Sequence, residues 1–246
     1  MSRQRIIIIG ATSGIAEHCA RLWAQQPSDF VLVGRDHDRL EGVAADLRVR
    51  SPQSSVQAIV MDFSDPAAIA ARSKQTASEG RVDIVLIAHG NLPVQSDCQR
   101  DVSLTQQALE INGLSPVLFA EAFAGQMEAA GSGTLAIIGS VAGDRGRKTN
   151  YVYGAAKGLI DRYAQGLQHR FAGTQVKIVL IKPGPTATPM TAHLPQRGLA
   201  SAEAVAHRIV AAVAAGQPVV YAPARWWLIM MIIRHLPRVV FNRLNI

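Results

Sequence analysis

The stretch that decides the fold is "RIIIIGATSGIAEHCARLW", residues 5–23 of the 246-residue chain. Its four isoleucines, 6–9, make a continuously apolar run, which is typical of a strand in a parallel sheet covered on both faces. A glycine-containing turn follows at 10–14, and residues 15–26 have the length of a helix. A strand, a glycine turn and a helix in this order predict a turn that brings backbone N–H groups against a pyrophosphate.

The same alternation of short aliphatic runs and longer helix-like segments continues along nearly the whole chain. Strands are predicted at 5–10, 30–34, 56–61, 82–88, 133–139, 175–181 and 218–222. Crossover helices are predicted at 15–26, 36–50, 65–78, 105–130 and 151–172. This pattern predicts an α/β fold with one Rossmann-type, doubly wound parallel sheet of about seven strands. The catalytic domain is expected to cover 1–222, and a hydrophobic, basic tail with an added helix to cover 223–246.

Composition narrows the class of protein. A hydrophobic content of 48% with 17% charged residues excludes a disordered chain. Cys19 and Cys98 form no disulfide framework and no metal spacing, so the sequence predicts no metal and a reducing, cytoplasmic location. The basic start, 1–5, precedes an apolar run too short for a signal peptide. The net charge of +7 suggests an anionic partner, but the cations are scattered and carry no nucleic-acid-binding signature.

The end of the second predicted strand bears on the choice of dinucleotide. Gly34 stands where an enzyme that prefers NAD tends to place an acidic residue, and Arg35 follows it. A guanidinium can hold a 2′-phosphate with a forked pair of charge-assisted hydrogen bonds. The sequence therefore favours NADPH over NADH. The alternative is a surface arginine whose charge is offset by Asp36.

The segment "YVYGAAK", 151–157, carries the acid–base chemistry. Tyr153 and Lys157 are four residues apart on a predicted helix and share one face, so the adjacent ammonium and an oxidised nicotinamide are both expected to lower the pKa of the phenol. Ser140 ends a predicted strand and can donate to a substrate carbonyl oxygen while Tyr153 protonates it. Asn112 stands in the middle of a long predicted helix, where an Asn-Gly pair costs helix stability. These four residues are the predicted catalytic set.

With these motifs in this order, the chain resembles the short-chain dehydrogenases/reductases from end to end. The resemblance rests on Gly10–Gly14, Asp62, Asn112, Ser140, Tyr153, Lys157 and "PGPTATPM" at 183–190. It implies an NAD(P)H-dependent oxidoreductase that reduces a ketone or aldehyde to an alcohol, assembled as a homodimer or homotetramer. It also implies that Asn112 supports a water chain to Lys157, and that Lys157 binds the nicotinamide ribose.

The resemblance further implies the cofactor site, with Asp62 at the adenine and the 183–190 segment at the nicotinamide. The implied residues are Gly10, Thr12, Ser13, Gly14, Ile15, Arg35, Asp62, Phe63, Ala88, Gly90, Tyr153, Lys157, Pro183, Gly184, Thr186 and Thr188. Two departures stand out. Ala16 replaces the last glycine of the turn, and "IAHG", 87–90, stands where the family usually has Asn-Asn-Ala-Gly. His89 in this motif is expected to be a local structural residue.

The loop after Ser140, "VAGDRGRKTNY", is expected to border the substrate. Its cations Arg145, Arg147 and Lys148 face a single acid, Asp144. Our hypothesis is that these cations, Arg145 and Arg147 above all, receive an anionic group of the substrate, a phosphate, and that Tyr151 is a packing or pocket residue beside them. A solvated loop or a salt bridge to a neighbouring subunit is the alternative.

The tail 224–246 is too short and too charged to span a bilayer, because arginines interrupt every long apolar window. Three interpretations stay open. The tail forms an oligomer interface, it contacts an anionic membrane surface peripherally on the cytoplasmic side, or it lines a pocket for a long apolar substrate.

The segment 140–158, "DLRVRSP" at 46–52 and the tail also resemble a narrower group of bacterial reductases. These act on decaprenylphosphoryl-2-keto-pentose. In such a substrate the phosphate would explain the basic loop, and the lipid would explain the hydrophobic tail. The alternatives are a reductase of 3-oxoacyl or other long-chain ketones, and an NADPH-sensing regulatory protein without catalysis. The expected partner is thus a small-molecule or lipid-linked carbonyl substrate.

Overall fold

The computed structural model describes residues 3–193 and 195–244. Its main strands are Gln4–Ile9 (β1), Ser28–Gly34 (β2), Ser55–Val60 (β3), Ile84–Ile87 (β4), Gly133–Ile138 (β5) and Val176–Pro183 (β6). Thr186–Ala187 (β7) and Ala200–Ser201 (β8) are short, and Val219–Ala222 (β9) is the last strand. Within the described residues, seven strands form one parallel sheet in the order β3-β2-β1-β4-β5-β6-β9, and β7 pairs with β8. The predicted doubly wound fold is confirmed.

The helices lie between these strands, with several more towards the C-terminus. The first five are Gly14–Trp23 (α1), His37–Arg50 (α2), Pro66–Ser78 (α3), Gln95–Arg100 (α4) and Val102–Leu109 (α5). The next three are Ser115–Ala130 (α6), Tyr151–Arg170 (α7) and Ala202–Ala215 (α8). The last two are Arg225–His235 (α9) and Arg238–Phe241 (α10).

The isoleucine run in β1 supplies both faces of the sheet. Ile6 and Ile8 point into one apolar cluster, which α1, α2 and α8 cover, and Ile7 and Ile9 point into the other, which α3, α6 and α7 cover. All four side chains are fully buried. Alternating side chains of one unbroken apolar strand therefore fill two cores, which explains the absence of polar residues in the run.

The order of the strands reverses at β1, which has β2 on one side and β4 on the other. Helices leave the sheet in opposite directions at such a point, and a crevice opens beyond the carboxyl ends of the strands. Both β1–β2 and β1–β4 pairs are parallel and in regular register. The turn at 10–14 lies at this crevice.

The predicted helix over 105–130 is interrupted. A π-helical turn, Glu110–Leu114, separates α5 from α6 and contains Asn112. Gly113 lets this turn approach α7, because a Cβ there would lie 3.2 Å from the Ala156 carbonyl oxygen. The Asn-Gly pair thus marks a π bulge, a feature that often accompanies functional sites.

The chain after β9 packs against the rest through one side of α9. Trp226, Ile229, Met230 and Ile233 lie on Val141 and Tyr221. Within the described residues no helix is long and apolar enough to cross a membrane. The last two residues of the tail segment 223–246 lie outside the described residues.

Candidate active site

A cavity of about 640 Å³ opens at the carboxyl ends of the central strands. The site residues predicted from the sequence that line it are Gly10, Thr12, Ser13, Gly14, Ile15, Arg35, Phe63, Ala88, Gly90, Ser140, Arg147, Tyr153, Lys157, Pro183, Gly184, Thr186 and Thr188. Four others, Asp62, Asn112, Arg145 and Tyr151, are not part of its wall. Segments from across the chain therefore converge on one crevice.

The glycine turn is held by close contacts that require glycine. Gly10 has a φ of 81°, and a Cβ there would lie 2.6 Å from the backbone nitrogen of His89. Its own N–H donates to the Val33 carbonyl oxygen at 2.8 Å. The N-cap of α1, Ser13, makes no side-chain capping bond, so the first turn of α1 presents its N–H groups towards the cavity. This end of the cavity can receive a pyrophosphate.

Two arginines flank the cavity where β2 ends. Arg35 has its guanidinium carbon 5.9 Å from the centre of the Phe63 ring. Arg39, which the sequence analysis missed, also lines the cavity and donates to the Thr12 carbonyl oxygen at 3.3 Å. The Asp36 carboxylate accepts a hydrogen bond from the Arg39 backbone N–H at 3.1 Å as the N-cap of α2. The signal available for Arg39 was its place in the first turn of α2, directly after the end of β2.

Asp62 lies beside this end of the cavity. Its carboxylate accepts hydrogen bonds from the Ser64 backbone N–H at 3.0 Å and from the Ser64 hydroxyl at 2.8 Å. The Ser64 hydroxyl lowers the pKa of Asp62 most strongly. The contact with adenine that the resemblance implies stays a prediction.

Ser140, Tyr153 and Lys157 come together at the other end. Ser140 follows β5, and its hydroxyl oxygen accepts a hydrogen bond from the Ala142 N–H at 3.1 Å. The Ser140 side chain lies close enough to the Tyr153 phenol to act on its pKa. The Lys157 ammonium lies 5.7 Å from the centre of the Tyr153 ring and donates to the Ile138 carbonyl oxygen at 3.1 Å. The arrangement can donate a proton to a carbonyl oxygen and hold the resulting negative charge.

The ionisation of this group differs from the expectation for Tyr153. Burial raises the pKa of Tyr153, and the Ser140 side chain opposes this only in part. Burial lowers the pKa of Lys157 to about 8, while Asp161 acts in the opposite direction. Among the residues of the structure, desolvation of the phenolate thus outweighs the lowering expected from the ammonium, and the lowering expected from an oxidised nicotinamide stays a prediction. Tyr153 is held as the neutral acid.

Asn112 acts on the loop after β4. Its Oδ1 accepts from the Asn91 N–H at 2.9 Å, and its Nδ2 donates to Asn91 Oδ1 at 2.7 Å and to the Ala108 carbonyl oxygen at 3.0 Å. A Cβ at Gly90 would lie 2.8 Å from Asn112 Oδ1 and 3.7 Å from the Lys157 nitrogen. Asn112 thus braces the loop that passes over Lys157. The water chain implied by the resemblance stays a prediction.

The basic loop after Ser140 divides its two predicted arginines. Arg147 is half-buried on the cavity wall, its Nε has no partner among the described residues, and burial lowers its pKa. Arg145 turns away, donates to the Ile233 and Leu236 carbonyl oxygens and stacks on the Phe241 ring. Arg145 is thus engaged with the C-terminal helices. Tyr151 is 44% exposed at the start of α7.

Asp144 does not neutralise the loop cations as its position in sequence suggested. Its carboxylate is buried, pairs with Lys182 and accepts a hydrogen bond from the Tyr221 hydroxyl at 2.8 Å. Lys182 also pairs with Asp161. Local sequence patterns do not predict this buried cluster, because its members are up to 77 residues apart.

The segment after β6 closes one end of the cavity. Thr191 Oγ1 donates to the Thr186 carbonyl oxygen at 2.6 Å and accepts from the Thr188 N–H at 3.1 Å. Gly184 is covered by α9, because a Cβ there would lie 1.9 Å from Trp226 Nε1. The tail is therefore seated directly on the wall of the cavity.

His89 is structural in its contacts, as expected. Its Nε2 lies 2.9 Å from Ser115 Oγ, which donates to the Phe63 carbonyl oxygen at 2.6 Å. The ring packs against Phe63 and Phe119. Burial and the nearby Lys157 lower the pKa of His89 to about 3, so it is neutral. Among the described residues, no group of three or more His, Cys, Asp or Glu side chains can hold a metal ion.

Comparison with known proteins gives a consistent family. The family model described as short chain dehydrogenase matches residues 4–198. An uncharacterized oxidoreductase of Mycobacterium tuberculosis is 31% identical over 241 residues, 97% of this chain and 96% of the relative. An uncharacterized oxidoreductase of Streptomyces coelicolor is 29% identical over 243 residues, 97% of this chain and 95% of the relative.

Solved structures share the fold. A short-chain dehydrogenase from Sphingobium yanoikuyae in complex with NADPH has a TM-score of 0.82 and 24% identity, with 96% of this chain and 97% of that one covered. A short-chain dehydrogenase from Burkholderia cenocepacia in complex with NADP has a TM-score of 0.84 and 16% identity, with 100% of this chain and 98% of that one covered. At these identities the likeness concerns the fold.

Proposed function

The chain belongs to the short-chain dehydrogenase family and is an oxidoreductase, and from that premise we propose that it reduces the carbonyl of a phosphate-bearing, lipid-linked sugar with NADPH. The observation that carries the proposal is the meeting of Ser140, Tyr153 and Lys157 on a cavity wall that also contains Arg35 and Arg147. One cavity thus combines an acid–base group with two separate cationic positions.

The residues of the cavity fit a nicotinamide dinucleotide. The α1 N-terminus would hold the pyrophosphate, and the close approaches at Gly10 and Gly90 leave room for backbone only. Lys157 and the segment from Pro183 to Thr188 would hold the nicotinamide end. When bound, the reduced nicotinamide supplies the hydride that the carbonyl carbon accepts.

The protein's own residues supply the proton and the electrostatics. Ser140 donates a hydrogen bond to the carbonyl oxygen and orients it. Tyr153, kept neutral by burial because its pKa is raised, gives its proton to that oxygen as the alcohol forms. The Lys157 ammonium stabilises the phenolate that remains. Asn112 keeps the loop at Gly90 and Asn91 in place above the ammonium.

Arg35 and Arg39 support the preference for NADPH over NADH. Both line the end of the cavity next to β2, and the neighbouring acid Asp36 is engaged as the N-cap of α2. A 2′-phosphate at this end would meet two guanidinium groups.

Arg147 supports an anionic group on the substrate. Its unpartnered Nε lies on the substrate side of the cavity, next to Asn150, whose buried Oδ1 also has no partner among the described residues. A half-buried guanidinium without a counter-ion is costly unless an anion completes it. A phosphate bound here, on a sugar ketone, matches the reductases of decaprenylphosphoryl-2-keto-pentose that the sequence resembles.

The face of α9 and α10 turned away from the protein supports contact with the membrane that would carry such a lipid. Exposed apolar side chains cover it: Trp227, Leu228, Ile232, Val239 and Val240. Arginines at 225, 234, 238 and 243 surround them, and no acidic residue occurs in 223–246. This composition suits an anionic bilayer surface. The proposal therefore places the chain in the cytoplasm, as a homo-oligomer peripheral to the inner face of the membrane.

Tyr153→Phe tests the reaction. The variant should lose reduction of carbonyl substrates by a factor of at least ~100, because the general acid is gone, and still bind NADPH in a fluorescence titration. A protein that only senses NADPH would respond to NADPH in the same way with and without the Tyr153 hydroxyl. Turnover unaffected by the substitution contradicts the proposed mechanism.

Arg147→Ala tests the substrate class, with Lys148→Ala on the same loop as the control. KM for a sugar-phosphate ketone should rise by at least ~10-fold for Arg147→Ala only, because a charge-assisted hydrogen bond is lost, while reduction of a small neutral ketone is spared. Equal effects of both variants, or a KM that does not move, favour an uncharged ketone such as a 3-oxoacyl thioester.

Flotation with vesicles tests the membrane contact. The triple variant Trp227→Ser, Leu228→Ser and Ile232→Ser should no longer float with vesicles that contain phosphatidylglycerol. A control at two exposed valines elsewhere, Val49→Ser and Val102→Ser, should float like the unmodified chain. Loss of the oligomer in place of flotation would assign this face to a subunit interface.

A further inference from the structure

A run of buried charges continues from Lys157 along α7. Asp161 lies one helical turn after Lys157, and the two residues are 6% and 3% exposed. Residues four apart on a helix are neighbours. Both side chains also reach the same part of β5: the Lys157 nitrogen donates to the Ile138 carbonyl oxygen at 3.1 Å, and a Cβ at Gly139 would lie 3.4 Å from Asp161 Oδ1.

The two carboxylate oxygens of Asp161 have different surroundings. Oδ2 pairs with the Lys182 ammonium at 2.5 Å. Oδ1 is buried and has no hydrogen-bond partner within the described part of the chain. An ionised carboxylate with an unsatisfied buried oxygen is unfavourable, so a reason to keep it is expected.

The charges of the cluster identify that reason. Lys182 already has a buried counter-ion in Asp144, which the Tyr221 hydroxyl orients. A second carboxylate gives the Asp144–Lys182–Asp161 group an excess of one negative charge when both acids are ionised. The Lys157 ammonium, one turn before Asp161 on α7, supplies the balancing positive charge. The sign of the charge therefore alternates along the series Asp144, Lys182, Asp161 and Lys157.

We propose that Asp161 is the counter-ion of Lys157, and that it acts as a positioning residue which keeps the buried ammonium charged beside Tyr153. The proposal rests on the role of Lys157 in the proposed function. A buried ammonium that donates to a neutral carbonyl loses most of its hydration, and a neighbouring carboxylate compensates for that loss. Asp161 therefore acts on the reaction through Lys157 and touches no substrate.

The other ionisable groups near this pair do not replace Asp161. His89 is neutral, and Tyr153 stays protonated because burial raises its pKa. Asp161 is the charged neighbour that acts against the burial of Lys157. Burial raises the pKa of Asp161 to about 6, and Lys182 opposes this most strongly. Of the other nearby charges, Asp144 raises the pKa of Asp161 and Arg162 lowers it. The pair is therefore expected to titrate together.

The ionisation of Lys157 can be measured without substrate or cofactor. The chain contains only five lysines, so lysine labelled with ¹³C at Cε gives a simple spectrum in which Lys157→Met identifies the signal of Lys157. Asp161→Asn should lower the titration midpoint of Lys157 by about one pH unit or more, the size expected for one unit charge at this spacing. Asp161→Glu keeps a carboxylate on this turn of the helix and should therefore restore most of the lost Lys157 midpoint.

Asp144→Asn is the matched control, because it also removes a buried partner of Lys182. It should lower the stability comparably and move the Lys157 midpoint by less than about half as much, since Asp161, and not Asp144, is the charge that opposes the effect of burial on Lys157. A Lys157 midpoint unchanged in Asp161→Asn, or equal shifts in both variants, overturns the proposal.

Two further measurements keep the test decisive. If Asp161→Asn does not fold, the unmodified chain still decides: its Lys157 signal should shift a second time as Asp161 takes up a proton near pH 6, about where its pKa lies, and a Lys157 signal that stays still there refutes the coupling. In the folded variant, the alkaline decline of kcat/KM should move to lower pH together with the Lys157 midpoint. If the Lys157 midpoint moves and the decline of kcat/KM does not, the catalytic role of Lys157 is contradicted, whereas its interaction with Asp161 is supported.

Discussion

Removing the charge of Arg35 is predicted to weaken the binding of NADPH selectively. Arg35 and Arg39 lie at the β2 end of the cavity, and the neighbouring Asp36 carboxylate is engaged as the N-cap of α2. A bound 2′-phosphate would gain hydrogen bonds to charged donors, which contribute ~1.5–3 kcal/mol each when well formed. Both side chains are exposed, so the low end applies.

At about 1.4 kcal/mol for each factor of ten, Arg35→Ala should raise the Kd of NADPH about tenfold, and Arg39→Ala somewhat less. The Kd of NADH should change by less than about twofold, because its ribose carries a hydroxyl in place of the phosphate. The effect should shrink at high salt, since exposed charges are screened.

Fluorescence titration of both reduced cofactors at low and high salt measures these constants. Arg48→Ala is the matched control, because it removes an arginine of α2, the helix of Arg39, that binds Glu41 and the Val56 carbonyl oxygen and does not line the cavity. Equal weakening of NADPH and NADH by Arg35→Ala, or an equal effect of Arg48→Ala, would refute the reasoning.

Three more predictions concern the walls of the cavity. Gly184→Ala should detach α9, because the new Cβ would lie 1.9 Å from Trp226 Nε1. Trypsin should then cut the chain faster at Arg225. The control Gly166→Ala, whose new Cβ would have no such neighbour within 4 Å, should be cut like the unmodified chain. Asn112→Ala should lower the free energy of unfolding by ~1–3 kcal/mol in urea and weaken NADPH binding, because Asn91 loses both bonds; unchanged NADPH affinity would contradict the bracing role. Lys157→Met should abolish a rise of unfolding free energy with pH. The pKa of Lys157 is about 8 when folded and 10.5 ordinarily, so the unfolded chain binds more protons between these values and stability increases there, by on the order of 3 kcal/mol over the full window. Urea unfolding of both proteins at pH 7.5 and 9.5 checks the difference.

Much of the fold and of the catalytic group follows from local patterns. The apolar run of β1 predicts a strand buried on both faces, and four-residue spacing on α7 puts Tyr153 and Lys157 side by side, because strand and helix periodicities are short-range properties of the backbone. The glycine turn is equally local, since Gly10 has the positive φ that the turn requires.

The substrate side depends on long-range packing. Arg145 and Arg147 are two residues apart in one basic loop, and sequence offers no reason to separate them. Arg145 turns away because it donates to the carbonyl oxygens at the end of α9, 88 residues later, and Arg147 is left on the cavity wall.

By itself, the sequence determined the doubly wound sheet, the glycine turn and the pairing of Tyr153 with Lys157, because each depends on the conformation of a few consecutive residues. Only the tertiary structure decided which loop arginine borders the cavity, that Trp226 lies on Gly184, and that Asp144, Asp161 and Lys182 form one buried cluster. The physical reason is that burial and charge pairing depend on which surfaces meet when distant segments pack. Side chains with the same local pattern therefore end in different environments.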